Sequence, residues 1–198
     1  VQGNGDIVTK TYDVSGFNHL DVSNAVRVEL SQEGSESARV ETDANLIRYL
    51  EVEVRGETLY VGLNNDARGL NISPTGGINF TIGVDALKRL EVSGASDVVA
   101  GTLESGDFML SASGASDVEI EVLSAYAVRI EASGSSDVSV IDLQAERLET
   151  AASGSSTVEV RGEVSGQVAD VEGASRYEAA RLQSEEAYVE CSGASDAA

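Results

Sequence analysis

Three aspartates stand at equal intervals in the second half of the chain and are candidate metal ligands. Asp97, Asp117 and Asp137 are separated by 20 residues, and each ends a Ser-Gly-x-Ser-Asp phrase. If successive repeats stack about 4.8 Å apart, as neighbouring strands do, the carboxylates form a ladder along the stack. Charges about 5 Å apart repel by roughly 1 kcal/mol in water and by roughly 3 to 4 kcal/mol at an effective dielectric of 20. Full solvation, or a bound calcium ion with its several oxygen ligands, would relieve that repulsion.

The alternative use of this aspartate ladder is local. An aspartate at a turn accepts hydrogen bonds from nearby backbone N–H groups, and this interpretation is favoured. The interval matches neither the EF-hand loop nor the calcium-binding β-roll repeat. Calcium at the three aspartates is therefore the only cofactor that the sequence suggests. The phrase changes at Thr157 and Arg176, and Arg176 could pair with Asp196 in the next repeat.

Serine nucleophiles are the second chemistry to consider. The serine that precedes each aspartate recurs as well, at Ser96, Ser116, Ser136, Ser156, Ser175 and Ser195. A serine nucleophile needs a base, and the only histidine, His19, lies outside the repeats. We therefore interpret the serines as a structural ladder on the outside of the stack. Cys191 is the only cysteine, and its phase predicts an inward-facing apolar role.

The element that positions these residues is a repeat of fixed length. Its glycines stand at 94, 114, 134, 154, 173 and 193. Apolar residues alternate with polar ones on both sides of each glycine, as in half-buried strands. A period of this size predicts a solenoid, and the contour of about 66 Å suits one coil of a β-helix. Each glycine is predicted to form a left-handed corner, and Asn24 takes its place in an earlier, degenerate copy at Leu20–Ala25.

The predicted fold class is an all-β parallel β-helix, or β-solenoid, with about 20 residues per coil. We expect a single β-solenoid domain over 1–198, with regular repeats over 90–198. Residues 1–89 are expected to form irregular N-terminal coils and a cap over the exposed sheet edge. Within them, Gly56-Glu57 predicts a tight turn, and Asp43 is predicted to cap one helical turn.

Charge and hydropathy exclude several partners. The chain has 13 Lys+Arg against 34 Asp+Glu, a net charge of −21. Nucleic acids and anionic membrane surfaces both need a basic patch, so neither is an expected partner. No apolar run approaches the length of a transmembrane segment, so none is expected in this chain.

Several segments, in this order along the chain, resemble a known family. They are Gly3–Val8, Val14–Phe17, Leu20–Ser23, Thr42–Leu46, Gly77–Asn79 and the Ser-Gly-Ala-Ser-Asp phrases. The sequence resembles the putative auto-transporter adhesin, head GIN domain family. That resemblance implies a right-handed β-helix in the cell envelope of Gram-negative bacteria or secreted from them, with no catalytic residues. It also implies an N-terminal signal segment. We expect that this segment has been removed, which fits a sequence that opens on Val1.

Three functions follow as hypotheses. The first is a non-catalytic, adhesin-like module that binds a protein or glycan partner at the cell surface through solenoid faces or coil ends. The second is a structural spacer that forms a homo-oligomer by edge stacking. The third is a β-helical polysaccharide-processing enzyme, which would need paired carboxylates in a groove. Acids repeated in every coil favour a structural role for the ladder, so we expect no enzyme.

Overall fold

The computed structural model describes residues 1–198 as one continuous, coiled β-sheet. Two 3₁₀ turns, at Ile47–Tyr49 and Asn65–Ala67, are its only helical segments. No helix is long and apolar enough to cross a membrane. The strands are β1 (Ile7–Tyr12), β2 (His19–Val22), β3 (Arg27–Gln32), β4 (Ser37–Asp43), β5 (Leu50–Arg55), β6 (Thr58–Leu63), β7 (Asn79–Val84), β8 (Arg89–Val92), β9 (Asp97–Ala112), β10 (Asp117–Ala132), β11 (Asp137–Ala152), β12 (Thr157–Val171), β13 (Arg176–Cys191) and β14 (Asp196–Ala197).

The regular half is a stack of parallel coils, which confirms the predicted β-solenoid. Strands β9 to β13 pair in parallel with a step of 20 residues, shortened once by a bulge in β12. Side chains of equal phase therefore stack on one another, as Val98, Val118 and Val138 do inside the coils. A single cluster of 43 buried apolar residues runs from Val14 to Leu182. Each coil thus contributes to one continuous core.

The corners have the predicted left-handed conformation. Gly94, Gly114 and Gly134 have φ of 80°, 83° and 80°, and Asn24 at the equivalent corner has φ of 69°. Stacking adds a second reason for glycine. A Cβ on Gly114 would lie 2.5 Å from the carbonyl oxygen of Gly94, which accepts a 2.7 Å hydrogen bond from Ala115 N–H. Corners can therefore stack this closely only when the side chain is absent.

The N-terminal half forms irregular coils and a cap, as predicted. Strands β2 and β3 form a coil that pairs with β6 and β7 on one side and with β8 and β9 on the other. The order of these coils in the stack therefore differs from their order in the sequence. Antiparallel strands then cover the end: β5 pairs with β6, and β4 joins β7 to β1. The residues at Gly56-Glu57 form the predicted turn between β5 and β6.

The predicted helix cap at Asp43 is wrong. Leu46 precedes the 3₁₀ turn and makes no side-chain capping bond. The buried Asp43 carboxylate instead accepts hydrogen bonds from Gly5 N–H at 2.7 Å, Thr75 N–H at 2.8 Å and Thr75 Oγ1 at 2.9 Å. These bonds, that from Thr75 N–H first, lower the pKa of Asp43. The residue therefore joins the N-terminal segment to the long cap loop.

Two predicted orientations also differ from the structure. The serine ladder faces inward: Ser96, Ser116 and Ser136 are fully buried. Ser136 Oγ donates to the carbonyls of Ser133 at 2.9 Å and Ala112 at 3.2 Å, so the hydroxyls bind corner backbone within and between coils. Cys191 stacks in the inward column as expected but is exposed, because its coil is at the end of the stack.

Candidate functional site

The aspartate ladder forms in the predicted register. Asp97, Asp117 and Asp137 lie opposite one another on neighbouring coils. Burial, and then the charges of Asp97 and Asp137, raise the pKa of Asp117 above its usual value. No three His, Cys, Asp or Glu side chains are arranged to hold a metal ion. Calcium binding at the ladder therefore stays a prediction.

The two ends of the ladder carry arginines. Arg27 on β3 lies in register with Asp97 and contacts its carboxylate at 2.9 Å. Arg176 lies opposite Asp196, but its ion pair is with Glu178 at 3.6 Å, so the predicted Arg176–Asp196 pair is not formed. The sequence prediction missed Arg27. The degenerate copy at Leu20–Ala25, continued by two residues, would have aligned it with Asp97.

The ladder borders one of two large surface grooves, which we call the acidic groove. Its volume is about 990 Å³. Carboxylates dominate its polar lining, with Arg27 at one end. The lining includes Arg27, Glu29, Thr81, Asp97, Asp117, Glu119, Asp137, Ser139, Thr157 and Glu159. A groove of this composition suits solvated cations better than anionic ligands.

The second groove, the lateral groove, lies over the later part of each long strand and has a volume of about 1060 Å³. It extends from β2 across the stack to β13. Two columns of outward-facing side chains lie in it, each made of the residues that are in register from coil to coil. One column reads His19, Arg89, Met109, Arg129, Glu149, Val168 and Tyr188. The other reads Asp107, Ala127, Arg147, Gly166 and Glu186.

The lateral groove differs in charge from the rest of the molecule. Its lining holds Lys88, Arg89, Arg129 and Arg147 against three acids, in a chain with 13 basic and 34 acidic residues. Arg129 is held by Glu131 at 2.8 Å and by Glu149 of the next coil at 2.6 Å. Those hydrogen-bonded carboxylates raise the pKa of Arg129, Glu131 being the largest cause. Arg129 therefore stays protonated at physiological pH, and the two glutamates match its charge.

Apolar side chains occupy the far end of the lateral groove. Tyr188 is 62% exposed and Val168 is 49% exposed, although both are large and apolar. They follow Glu149 in the same column. Guanidinium groups, carboxylates and apolar surface thus alternate along a concave face. Such an arrangement can bind an extended ligand by hydrogen bonds, ion pairs and apolar contact together.

Sequence reasoning missed the lateral groove because it concentrated on the recurring phrase. The sequence does indicate this groove, because some columns change residue type from one coil to the next. Reading the sequence at 20-residue steps from Arg89 gives Met109, Arg129 and Glu149, which is no structural ladder. Of the predicted residues, only His19 lies here. Asp97, Asp117 and Asp137 line the acidic groove, whereas Arg176 and Cys191 are exposed outside both grooves.

Comparisons with known proteins agree with this architecture. The family model described as "Putative auto-transporter adhesin, head GIN domain" matches residues 16–141 and 121–198. No curated protein matches the chain.

Solved structures of proteins from Parabacteroides and Bacteroides have the same fold. A putative adhesin from Parabacteroides merdae superposes with a TM-score of 0.91 at 21% identity, covering 100% of this chain and 82% of that one. A protein from Parabacteroides distasonis, described as a putative lipid binding protein, gives 0.86 at 19%, covering 100% and 99%. A putative adhesin from Bacteroides fragilis gives 0.79 at 16%, covering 100% and 98%. At such identities the likeness shows the fold alone, whereas the family model covers most of the sequence. The chain therefore belongs to the putative auto-transporter adhesin, head GIN domain family.

Proposed function

We propose that this protein is a non-catalytic interaction module of the cell envelope or cell surface that binds an extended partner in the lateral groove. Its family supports an adhesin-like role and a surface or envelope location. The observation that carries the proposal is the groove itself. It is a concave face of about 1060 Å³ that crosses the coils and carries cationic and exposed apolar side chains.

The architecture favours a face over an edge as the binding surface. At the N-terminal end, antiparallel strands β1, β4 and β5 cover the coils. In the middle of the stack, every strand of β9 to β12 has a partner on both sides, so its backbone groups are paired. A partner that contacts the middle coils therefore meets side chains, and the column pattern determines what binds.

Three glycines allow a matched test of this proposal. Gly166 lines the lateral groove, Gly101 lines the acidic groove, and Gly106 lines neither. At all three, a Cβ would meet no atom within 4 Å, and φ is outside the left-handed region. A substituted side chain therefore starts in open space at each position, and we expect tryptophan to project over the sheet.

The measurement is binding of the purified chain and its variants to arrays of glycans, matrix proteins and whole bacterial cells. Gly166→Trp should abolish binding to the partner found for the wild type, while Gly106→Trp should leave it unchanged. Loss of binding in Gly101→Trp alone would move the site to the acidic groove. If Gly166→Trp binds as the wild type does, the lateral groove is not the binding site.

A further inference from the structure

Two cations of the lateral groove are free to meet a ligand. Arg89 pairs with Glu91, and Arg129 is held by two glutamates. Lys88 and Arg147 also line the groove, but no carboxylate lies within ion-pair distance of either. Lys88 and Arg147 are therefore the groove cations that can form an ion pair with an anionic group of a ligand.

Arg147 is exposed and has small neighbours in its column. Its neighbours in register on the adjacent coils are Ala127 and Gly166, which carry the smallest side chains. The guanidinium is therefore not crowded from above or below. Its planar fork of five N–H donors matches the two oxygens of a carboxylate. This part of the column therefore has room and donors for a single carboxylate group.

We propose that the lateral groove binds a linear glycan that carries widely spaced carboxylates, one of which pairs with Arg147. This inference rests on the proposed function. Lys88 belongs to the layer three coil steps away, about 14 Å at the sheet spacing, and can meet a second carboxylate. Val168 and Tyr188, farther along, offer apolar surface to the C–H faces of sugars.

The charge of the whole chain explains why the carboxylates must be sparse. At a net charge of −21, the protein repels a densely charged polyanion at long range. At physiological ionic strength that repulsion is screened beyond about 8 Å, while a contact ion pair at Arg147 persists. A polymer with a few, separated charges therefore gains the contact and avoids most of the repulsion.

Two other ligand classes fit the groove less well. A peptide that binds by strand addition would need a free strand edge, and the strands beneath the middle of the groove are paired on both sides. An acyl chain lying along the groove would cover the Arg129–Glu149 ion pair and remove it from water at a cost that apolar contact must offset. Sugar hydroxyls can instead hydrogen-bond to both charged groups.

The test uses the full chain and four defined polymers in titration calorimetry at about 0.15 M salt. Hyaluronan has a carboxylate on every second sugar, dextran is neutral, and dextran sulfate and poly-L-glutamate are densely charged. We expect hyaluronan to bind more tightly than the other three. Arg147→Gln should weaken hyaluronan binding about tenfold or more, because a charge-assisted contact is lost. Arg181→Gln is the matched control, since Arg181 is exposed, lacks an ion pair and lies outside the groove.

Each contrary result is distinct. Equal binding of dextran, tighter binding of poly-L-glutamate, or no hyaluronan binding at millimolar sugar would overturn the assignment of the ligand. So would an equal loss in Arg147→Gln and Arg181→Gln. If Gly166→Trp abolishes binding to a partner found on the arrays while Arg147→Gln does not weaken it, the groove remains the binding site and only the carboxylate inference fails.

Discussion

Replacing the central aspartate of the ladder should stabilise the protein. Asp117 lies between Asp97 and Asp137, one coil away on each side. Each pair at about 5 Å repels by roughly 1 kcal/mol in water, and the exposed side chains and salt reduce this further. We therefore expect Asp117→Asn to raise the free energy of unfolding by about 1 kcal/mol at neutral pH, or the melting temperature by about 2 to 4 °C.

The dependence of this effect on pH follows from the pKa. Because the folded-state pKa of Asp117 is raised, the folded protein holds its proton more tightly than the unfolded chain does. The penalty is therefore absent below the unfolded pKa and develops as pH rises through the folded pKa. The advantage of Asp117→Asn should be present at pH 7 and disappear near pH 3. Asp142→Asn, at an exposed position on β11 five residues after Asp137, is the control for loss of one negative charge.

Thermal melts by circular dichroism, with and without millimolar calcium, measure both the repulsion and the metal prediction. If calcium binds Asp97, Asp117 and Asp137, it should raise the melting point of the wild type by mass action and not that of Asp117→Asn. An unchanged wild-type melt in calcium would end the metal hypothesis. Destabilisation of calcium-free Asp117→Asn would refute the repulsion argument, because it would mean that the carboxylate makes a net favourable interaction.

Three further substitutions test the fold. Gly134→Ala places a Cβ 2.6 Å from the Gly114 carbonyl oxygen, at a residue with φ of 80°. Chemical denaturation should therefore show that the free energy of unfolding falls by at least about 1 to 3 kcal/mol. Gly106→Ala, where a Cβ meets no atom within 4 Å, should change it little. The pKa of Asp43 is lower in the folded protein than in the unfolded chain. Its carboxylate therefore stabilises the fold fully above its unfolded-state pKa, and this contribution is lost as pH falls through the folded-state pKa. In Asp43→Asn, the free energy of unfolding should fall less steeply with decreasing pH. Tyr177→Phe leaves Gln167 Oε1 without its 2.8 Å donor inside the core, which should cost about 1 to 3 kcal/mol in urea unfolding.

The sequence predicted the parts of the fold that depend on period alone. The 20-residue step fixed the strand register, so the relative positions of Asp97, Asp117 and Asp137 were correct. The left-handed corner at Asn24 was correct because glycine and asparagine adopt the left-handed region more readily than other residues, so their exchange at one phase indicates it.

The outward placement of the serine ladder failed because it followed polarity and ignored phase. Ser136 lies two residues before the inward-facing Val138, so alternation puts its hydroxyl inside, where it binds corner carbonyls. Asp43 failed for another reason. Its partners, Gly5 and Thr75, are 38 and 32 residues away, and local capping rules do not consider such distant donors.

The shortened repeat is accompanied by a change in core packing at Tyr177. Where the repeat loses a residue, Tyr177 replaces the valine of earlier coils, and its hydroxyl donates to Gln167, whose amide donates to Ser184 at 2.9 Å. Burial raises the pKa of Tyr177 to about 12, so the hydroxyl stays protonated and the network stays neutral. The change at Arg176 therefore accompanies a local repacking of the core.

The lateral groove shows the opposite behaviour, and this contrast is why we propose it as the binding surface. A residue that recurs in every coil, such as the corner glycine or the buried serine, satisfies a need that every coil has. The outward column from Asp107 to Glu186 has no such need, because its side chains project away from the core. Its residues nevertheless alternate between acid, small, basic, small and acid, with Arg147 at the centre. Stacking alone would be served equally well by any polar residue at each position. The particular order is explained if the column contacts a ligand, which is why Arg147 is the residue whose substitution separates binding from folding most cleanly.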